Sequence, residues 1–404
     1  MPDIVKQRAL KFDEARQLVI REMQGMGALQ TSESVPVLEA HGRVLAEEVY
    51  ADRDYPAVRR SLRDGFAVRS SDVPGSLQVR GEVRAGQQEQ APLAEGEAVE
   101  VMTGAPVPPG ADAIVMIEYT SRDGFKVCTE NGAEPGQFIN ERGAEAPAGS
   151  ILIPRGTRLD ASHVAALAMT GHVTATVYAR PSVAILATGD ELVEISEQPE
   201  SHQIRNSNSY MLAALVQAAG GRPTILQMAR DTSEALRPLL EEGLSYGMLL
   251  ISGGVSAGKY DLVKPTLREF GVEFQFERVR VQPGQPTAFG AYQRKPVFGL
   301  PGNPGSTLIT FELFARPALE ILGGHQHPTL PLLWAEFEAP FRHKPGLTRF
   351  LPAILNEDGR HLRHVPWQGS SDVPALAKVN VFLVADEDRE TWAIGDLIRV
   401  MHKP

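Results

Sequence analysis

Three strand-to-helix loops in this 404-residue chain carry residue types suited to a phosphate-bearing substrate. The first, ATGDEL at 187–192, follows the apolar run SVAIL, and Gly189 permits a tight turn there. Asp190 and Glu191 then stand where an Mg²⁺ ion or a polar ligand would sit, at the carboxyl end of a strand. The same hexapeptide also reads as an ordinary loop capped by acidic residues. The second loop, SGGVSAGKYD at 252–261, follows MLLI. Gly253, Gly254 and Gly258 let the backbone approach an anion, Ser256 adds a hydroxyl, and Asp261 stands where an N-cap or a metal-facing carboxylate belongs. Gly253 and Gly258-Lys259 have the spacing of a Walker A loop, but Tyr260 replaces its Mg²⁺-binding Ser or Thr, so a true P-loop is not expected. In the third loop, LPGNPGS at 300–306, Asn303 is a good N-cap and Pro304 a good first helical residue. The N–H groups of that first turn would face the same edge as the other two loops.

Two segments upstream carry the same kind of chemistry. SLRDGFAV at 61–68 puts Asp64 before a glycine, and MTGAPVPPGAD at 102–112 carries Thr103 and Gly104. Each taken alone also reads as a structural turn.

The elements that must position these loops follow from periodicity. Ala15, Leu18, Val19 and Met23 have helical spacing within 10–30, and Ala40, Val44, Leu45 and Val49 predict a second, short helical element over 35–50. From Tyr55 to about Ser150, short apolar runs cut by Gly and Pro predict a β-rich insert, and DASHVAALAM near 160–170 predicts a helix that returns to pack beside the first ones. Over 181–323, apolar strands alternate with amphipathic helices, the signature of a parallel, doubly wound sheet whose ligands gather beyond the strands' carboxyl ends. The last 75 or so residues are again β-like. The expected fold is thus a multidomain α/β chain. A helical domain is made of residues 1–50 and 151–180, a β-rich insert of 51–150, a central α/β domain of 181–326 and a small C-terminal β domain of 327–404.

Composition narrows the function classes. Hydrophobic content of 43% and charged content of 22% are those of a soluble globular chain. No apolar run approaches the roughly 18 residues needed to span a bilayer, and the mixed-charge start is not a signal peptide. A single cysteine, Cys128, excludes an intrachain disulfide and a cysteine-built metal site, which makes the cytoplasm the expected address. The net charge of −10 argues against a broad nucleic-acid surface. His325 and His327 lack a third ligand and read as an exposed linker, and Asp386 to Glu390 as a solvated hairpin tip. Trp334, Trp367 and Trp392 read as core or interface residues, and Cys128 as a packed strand residue.

In this order, SLRDGFAV, MTGAPVPPGAD, ATGDEL, IRNSNSYML, SGGVSAGKYD, PGQP and GLPGNPGS resemble the segments of the molybdopterin molybdenumtransferase family (the MoeA and gephyrin E-domain family). The resemblance implies four domains, the central one a molybdopterin-binding-like fold, in elongated homodimers whose clefts combine the central domain of one subunit with elements of the other. It implies adenylylated molybdopterin and molybdate as substrates, AMP as a product and Mg²⁺ as cofactor. Carried over by motif, Asp64, Thr103, Glu191 and Asp261 are the expected catalytic residues, with Asp64, Glu191 and Asp261 facing metal. Asp190, Asp231, Gly253, Gly254, Ser256, Lys259, Gln282, Gln285, Pro301, Asn303, Arg349 and Ser370 are expected to bind substrate. The adenylylating enzyme and molybdoenzyme chaperones are the implied partners, with no role for nucleic acid or membrane.

The chain departs from the family pattern at Gln282 and Gln285, where two lysines are usual, and Lys259 is the candidate to restore one charge nearby. Asn140 and Glu145 replace an Arg and an Asp, and Pro352 stands at an expected Arg with Arg349 as its candidate substitute. These changes keep two other readings open: a non-catalytic cofactor-binding or scaffold paralogue, and an Mg²⁺-dependent nucleotide pyrophosphate hydrolase on the same fold.

Overall fold

The computed structural model describes residues 9–27, 31–88, 91–255 and 262–403. Four parallel strands lie side by side in the order Arg222–Ile225, Ser182–Ala187, Met248–Ser252 and Lys295–Leu300. Ser182–Ala187 comes first in the chain but second in the sheet, so the winding reverses between it and Met248–Ser252, and a crevice opens there. Within the first strand, Val183 and Ile185 enter one core, and Ala184 and Leu186 enter another. This alternation is the period-two pattern of a strand buried on both faces. The helix Ser207–Ala218 and the long run Pro304–Leu322, with a π-helical turn at Phe311–Ala315, cover one face. Ser233–Leu244 and Val263–Glu269 cover the other, so the doubly wound reading holds.

An antiparallel pair, Ala288–Tyr292 and Glu273–Phe276, extends the sheet beyond Lys295–Leu300. The hairpin between Tyr292 and Lys295 turns through Gln293 (φ 47°) and Arg294 (φ 66°). Such turns usually take Asn-Gly, since a non-glycine residue in left-handed backbone costs about 1–2 kcal/mol.

The first helix, Phe12–Met26, forms as its spacing predicts, but Ala15, Val19 and Met23 are buried in the central core. Arg16 is buried with them and donates to the Leu313 carbonyl at 2.7 Å. The helix Ala161–Met169 therefore does not pack beside it. Leu167 instead shares a separate core with Val35, Leu45 and Val177. The helical reading of 35–50 is also corrected. The segment is a strand, Ser32–Pro36, paired with Thr174–Tyr178, then a 3₁₀ turn, Val37–Glu39, and a short strand, Val49–Tyr50. Ala40, Val44, Leu45 and Val49 are buried as their apolarity requires, but Gly42 at φ 76° breaks the path and the polar backbone pairs across strands.

The insert is a six-stranded sheet with apolar clusters on both faces, one containing Ala67, Val99 and Val101, the other Phe66, Val68 and Ala98. Its entry and exit lie side by side: Tyr50 pairs with Ile151, and Tyr55 bridges to Ala146. Cys128 lies on the strand Lys126–Thr129 but faces solvent, because the alternation buries Val127 and Thr129 instead.

In the C-terminal region, strands Thr348–Leu355, His361–His364, Leu332–Phe337, Leu397–His402 and Val381–Ala385 pair in sequence, and the last pairs with the first, closing a small barrel. Trp392 is in its core and Trp367 packs partly buried against the central core, whereas Trp334 is 62% exposed and belongs to no core. The short strand Val281–Gln282 of the central region joins the barrel by pairing in parallel with Thr348–Leu355. Phe12 meets Phe350 edge-on at 5.5 Å, so the first helix, the sheet and the barrel share one core. Among the described residues, no helix is long and apolar enough to cross a membrane.

Candidate active site

A cleft of about 650 Å³ opens at the carboxyl ends of Ser182–Ala187, Met248–Ser252 and Lys295–Leu300. The first loop contributes Thr188, Gly189 and Glu191, the second Gly253 and Gly254, and the third Pro301 to Pro304. Ser371 and Val373 reach it from the barrel region. The loops are pinned to one another by backbone bonds. Thr188 N–H donates to the Ser252 carbonyl at 3.0 Å, and Gly253 N–H to the Leu300 carbonyl at 3.1 Å. At Gly254 (φ 60°) an added Cβ would lie 2.7 Å from Thr188 Oγ1, so only glycine allows this approach.

Asn208 ties the second and third loops together. Its Nδ2 donates to Ser252 Oγ at 2.8 Å and to the Gly302 carbonyl at 2.6 Å. Asn303 occupies the N-cap position and Pro304 the first helical one, as expected, but the Asn303 side chain does not cap the helix. Its Nδ2 donates to Ser370 Oγ at 3.0 Å, while Gly305 N–H donates to the Ser370 carbonyl at 2.7 Å. The amide thus fastens the barrel region over the third loop, a tertiary bond in place of a local one.

One wall is acidic. Asp231 N–H donates to Asp190 Oδ1 at 3.3 Å, with Glu191 beside them. Burial, then the charges of Asp190 and Glu191, push the Asp231 carboxyl above its ordinary range. Asn208 Oδ1 is buried at the cleft without a hydrogen-bond partner among the described residues. Such an atom is costly until a ligand or water satisfies it.

Glu191, Asp231, Gly253, Gly254, Pro301 and Asn303 are therefore brought together on the cleft lining, with Asp190 and Ser370 bonded to lining residues. Asp64 and Thr103 are not on that lining. They sit exposed on the insert, where Asp64 Oδ1 accepts from Thr103 N–H at 2.6 Å and from Thr103 Oγ1 at 2.7 Å. These two bonds hold the Asp64 carboxyl below its ordinary range. Gln282, Gln285 and Arg349 also lie off the lining, although Pro286 is on it. Gln282 and Arg349 are register partners in neighbouring parallel strands, and Arg349 Nε is buried without a partner among the described residues. Asn140 donates to Glu145 Oε1 at 2.8 Å within the insert. Ser256, Lys259 and Asp261 lie outside the described residues. Among the described ones, no group of three or more His, Cys, Asp or Glu side chains is arranged to hold a metal ion. Sequence reasoning missed Thr188, Arg205, Asn206 and Asn208, all on the lining. The segment IRNSNSYML, one of those that carry the family resemblance, was the available signal.

Comparison with known proteins agrees with this architecture along its length. Residues 10–171 match the MoeA N-terminal region (domain I and II), 184–321 a probable molybdopterin binding domain, and 335–402 the MoeA C-terminal region (domain IV). The molybdopterin molybdenumtransferase of a Nostoc species is 37% identical over 306 residues, covering 73% of this chain and 70% of that one. Its namesake in Bacillus subtilis is 31% identical, covering 98% of this chain and 94% of the relative. A crystal structure of the molybdopterin biosynthesis moeA protein from Pyrococcus horikoshii superposes with a TM-score of 0.80 at 28% identity, over 98% of this chain and 100% of that one. With its N-terminal, central and C-terminal regions each matched and a 31% identical relative aligned over 98% of it, the chain belongs to the molybdopterin molybdenumtransferase family.

Proposed function

We propose that the chain inserts molybdenum from molybdate into adenylylated molybdopterin and releases AMP. The observation that carries this reading is the meeting of the acidic wall, Glu191 and Asp231, with the glycine and proline loops in one cleft at the switch point of the sheet. Backbone-rich loops suit a phosphate, and the unpartnered Asn208 Oδ1 suits a polar edge of a bound heterocycle. The work is positioning and electrostatic, so no nucleophilic triad is required.

The acidic wall fits Mg²⁺. Magnesium is commonly held by one or two carboxylates together with substrate phosphates, and a cation would relieve the crowding that raises Asp231. Glu191 and Asp231 are the residues that would hold it, and when bound it would neutralise charge on the pyrophosphate. Asp64 and Thr103, absent from their own chain's cleft, would enter that of a second copy, making the working unit a homodimer with shared clefts. We place it in the cytoplasm, a reading supported by its single cysteine.

The test is AMP release by the purified protein given adenylylated molybdopterin and Mg²⁺, with and without molybdate. Release that depends on molybdate and yields active cofactor supports the transferase. Equal release without molybdate would leave a hydrolase. The glutamines at 282 and 285 favour one other reading, a carrier, and tight binding with no release in either condition would establish it.

A further inference from the structure

A second concavity, about 700 Å³, lies at the other edge of the central sheet. Arg294 on its wall immediately precedes Lys295–Leu300, whose far end feeds the cleft, so the two sites are roughly 20 Å apart at the rise of a strand. Arg155, Arg294, His325 and His327 line this basin, and among the described residues no carboxylate does. The guanidinium of Arg155 lies over the Tyr178 ring at 5.5 Å from its centre, and its Nε donates to Tyr178 Oη at 2.7 Å. Arg294 donates to the Met26 carbonyl at the end of the first helix. Neither of these bonds neutralises a charge, and both leave guanidinium donors unused.

The basin is built rather than incidental. A Cβ on Gly324 would lie 2.1 Å from Tyr178 Cδ2, and one on Gly156 would lie 2.7 Å from Gln326 Cγ. The turn 324–327 is therefore laid closely onto Tyr178 and Gly156, and His325 N–H donates to the Glu320 carbonyl at 2.9 Å to hold it. The helix ends nearby attract cations, which accounts for Arg294 at Met26. They do not account for Arg155, whose bond goes to a tyrosine. Nor do they explain why an arginine occupies the second left-handed position of a hairpin turn, where glycine would be relaxed.

We propose that this basin binds a multiply charged oxyanion, the phosphate or pyrophosphate of a small molecule, independently of the cleft. Guanidinium forks match phosphate oxygens two at a time, and Arg155 is already oriented by its stacking on Tyr178.

Calorimetric titration of the full chain with inorganic pyrophosphate, and separately with AMP, tests this. The double variant Arg155→Ala, Arg294→Gly should weaken pyrophosphate binding at the basin at least tenfold and leave molybdate-dependent AMP release unchanged. Arg294→Gly places the favoured residue in its turn, so folding is retained. Arg155→Lys, which keeps the charge but loses the fork, should recover only part of the binding that Arg155→Gln loses. Binding of pyrophosphate but not AMP would mark an inorganic ion as the ligand, and binding of both a nucleotide phosphate. Identical pyrophosphate titrations for wild type and double variant would overturn the proposal. So would loss of a dimer with pyrophosphate binding intact, which would make the basin a subunit contact. Because binding is read directly, an inactive wild-type enzyme would count against the transferase reading without touching this one.

Discussion

The cleft and the Asp64–Thr103 pair are opposites. The cleft is a cavity whose polar groups are incompletely satisfied: Asp231 is crowded by like charges, and Asn208 holds a buried oxygen without a partner among the described residues. The pair on the insert is exposed, yet one carboxylate oxygen, Asp64 Oδ1, is held by two hydrogen bonds from one threonine. Burial and repulsion push Asp231 up, while Thr103 pulls Asp64 down. The meeting of these two regions between two copies of the chain is our proposal, and because Asp64 would join a wall already crowded by carboxylates, it requires a cation between them.

The strongest way to break that case is complementation. Asp64→Ala and Glu191→Gln should each lower molybdate-dependent AMP release by about 10²–10³-fold, the scale of losing one electrostatic group in a reacting site. Mixed and reassorted, the two inactive variants should recover about a quarter of wild-type activity, since half the dimers are mixed and each carries one intact site. No recovery in confirmed mixed dimers would mean that the two regions do not cooperate. Stability separates the halves next. An added Cβ at Gly65 would lie 2.1 Å from the Val115 carbonyl, and one at Gly253 would lie 2.5 Å from that of Thr188. Gly65→Ala and Gly253→Ala should each cost about 1–3 kcal/mol in denaturant melts. Hydrogen exchange should place the first loss in the insert and the second around the cleft.

A smaller effect is expected at Arg349. If its guanidinium supplies the charge that Gln282 lacks, Arg349→Ala should raise the KM for adenylylated molybdopterin about tenfold, close to 1.4 kcal/mol, with kcat little changed. An unchanged KM would leave Arg349 a barrel residue only. The smallest effect is a titration. Asp64 is held below its ordinary value of 3.8, so the stabilisation from Thr103 is present above that value and is lost as pH falls through the folded one. Thr103→Val should return the carboxyl toward 3.8, and Asp190→Asn should lower Asp231, both followed by carboxyl NMR. Movement of either group in the reverse direction would show that its environment had been misassigned.

Much of the fold was legible because its elements bury alternating or helical faces of their own. Ser182–Ala187 fills two cores from one strand, and the three loops after parallel strands had to open on one edge. What stayed hidden depended on partners distant in sequence. The residues 35–50 look helical because a chain crossing a core can show the same spacing, and only the pairing of Ser32–Pro36 with Thr174–Tyr178 decides otherwise. The pairing of Ala288–Tyr292 with Glu273–Phe276 was missed because these runs are short and a register shift interrupts their pairing. At the site, the glycine and acidic loops announced themselves by type. Asn208 did not, since its role is set by where Ser252 and Gly302 stand in space. Nor could composition reveal that Gln282 has an arginine for a neighbour.

The adjacency of the insert's two ends has a consequence for how such a molecule can change. Because Tyr50 pairs with Ile151 and Tyr55 bridges to Ala146, the polypeptide leaves and re-enters the body through one narrow doorway. Everything beyond that doorway has its own apolar clusters, so it can be lengthened, shortened or exchanged as a cassette without re-threading the sheet or the barrel. Evolution, or an engineer, could therefore alter the insert while inheriting the rest unaltered.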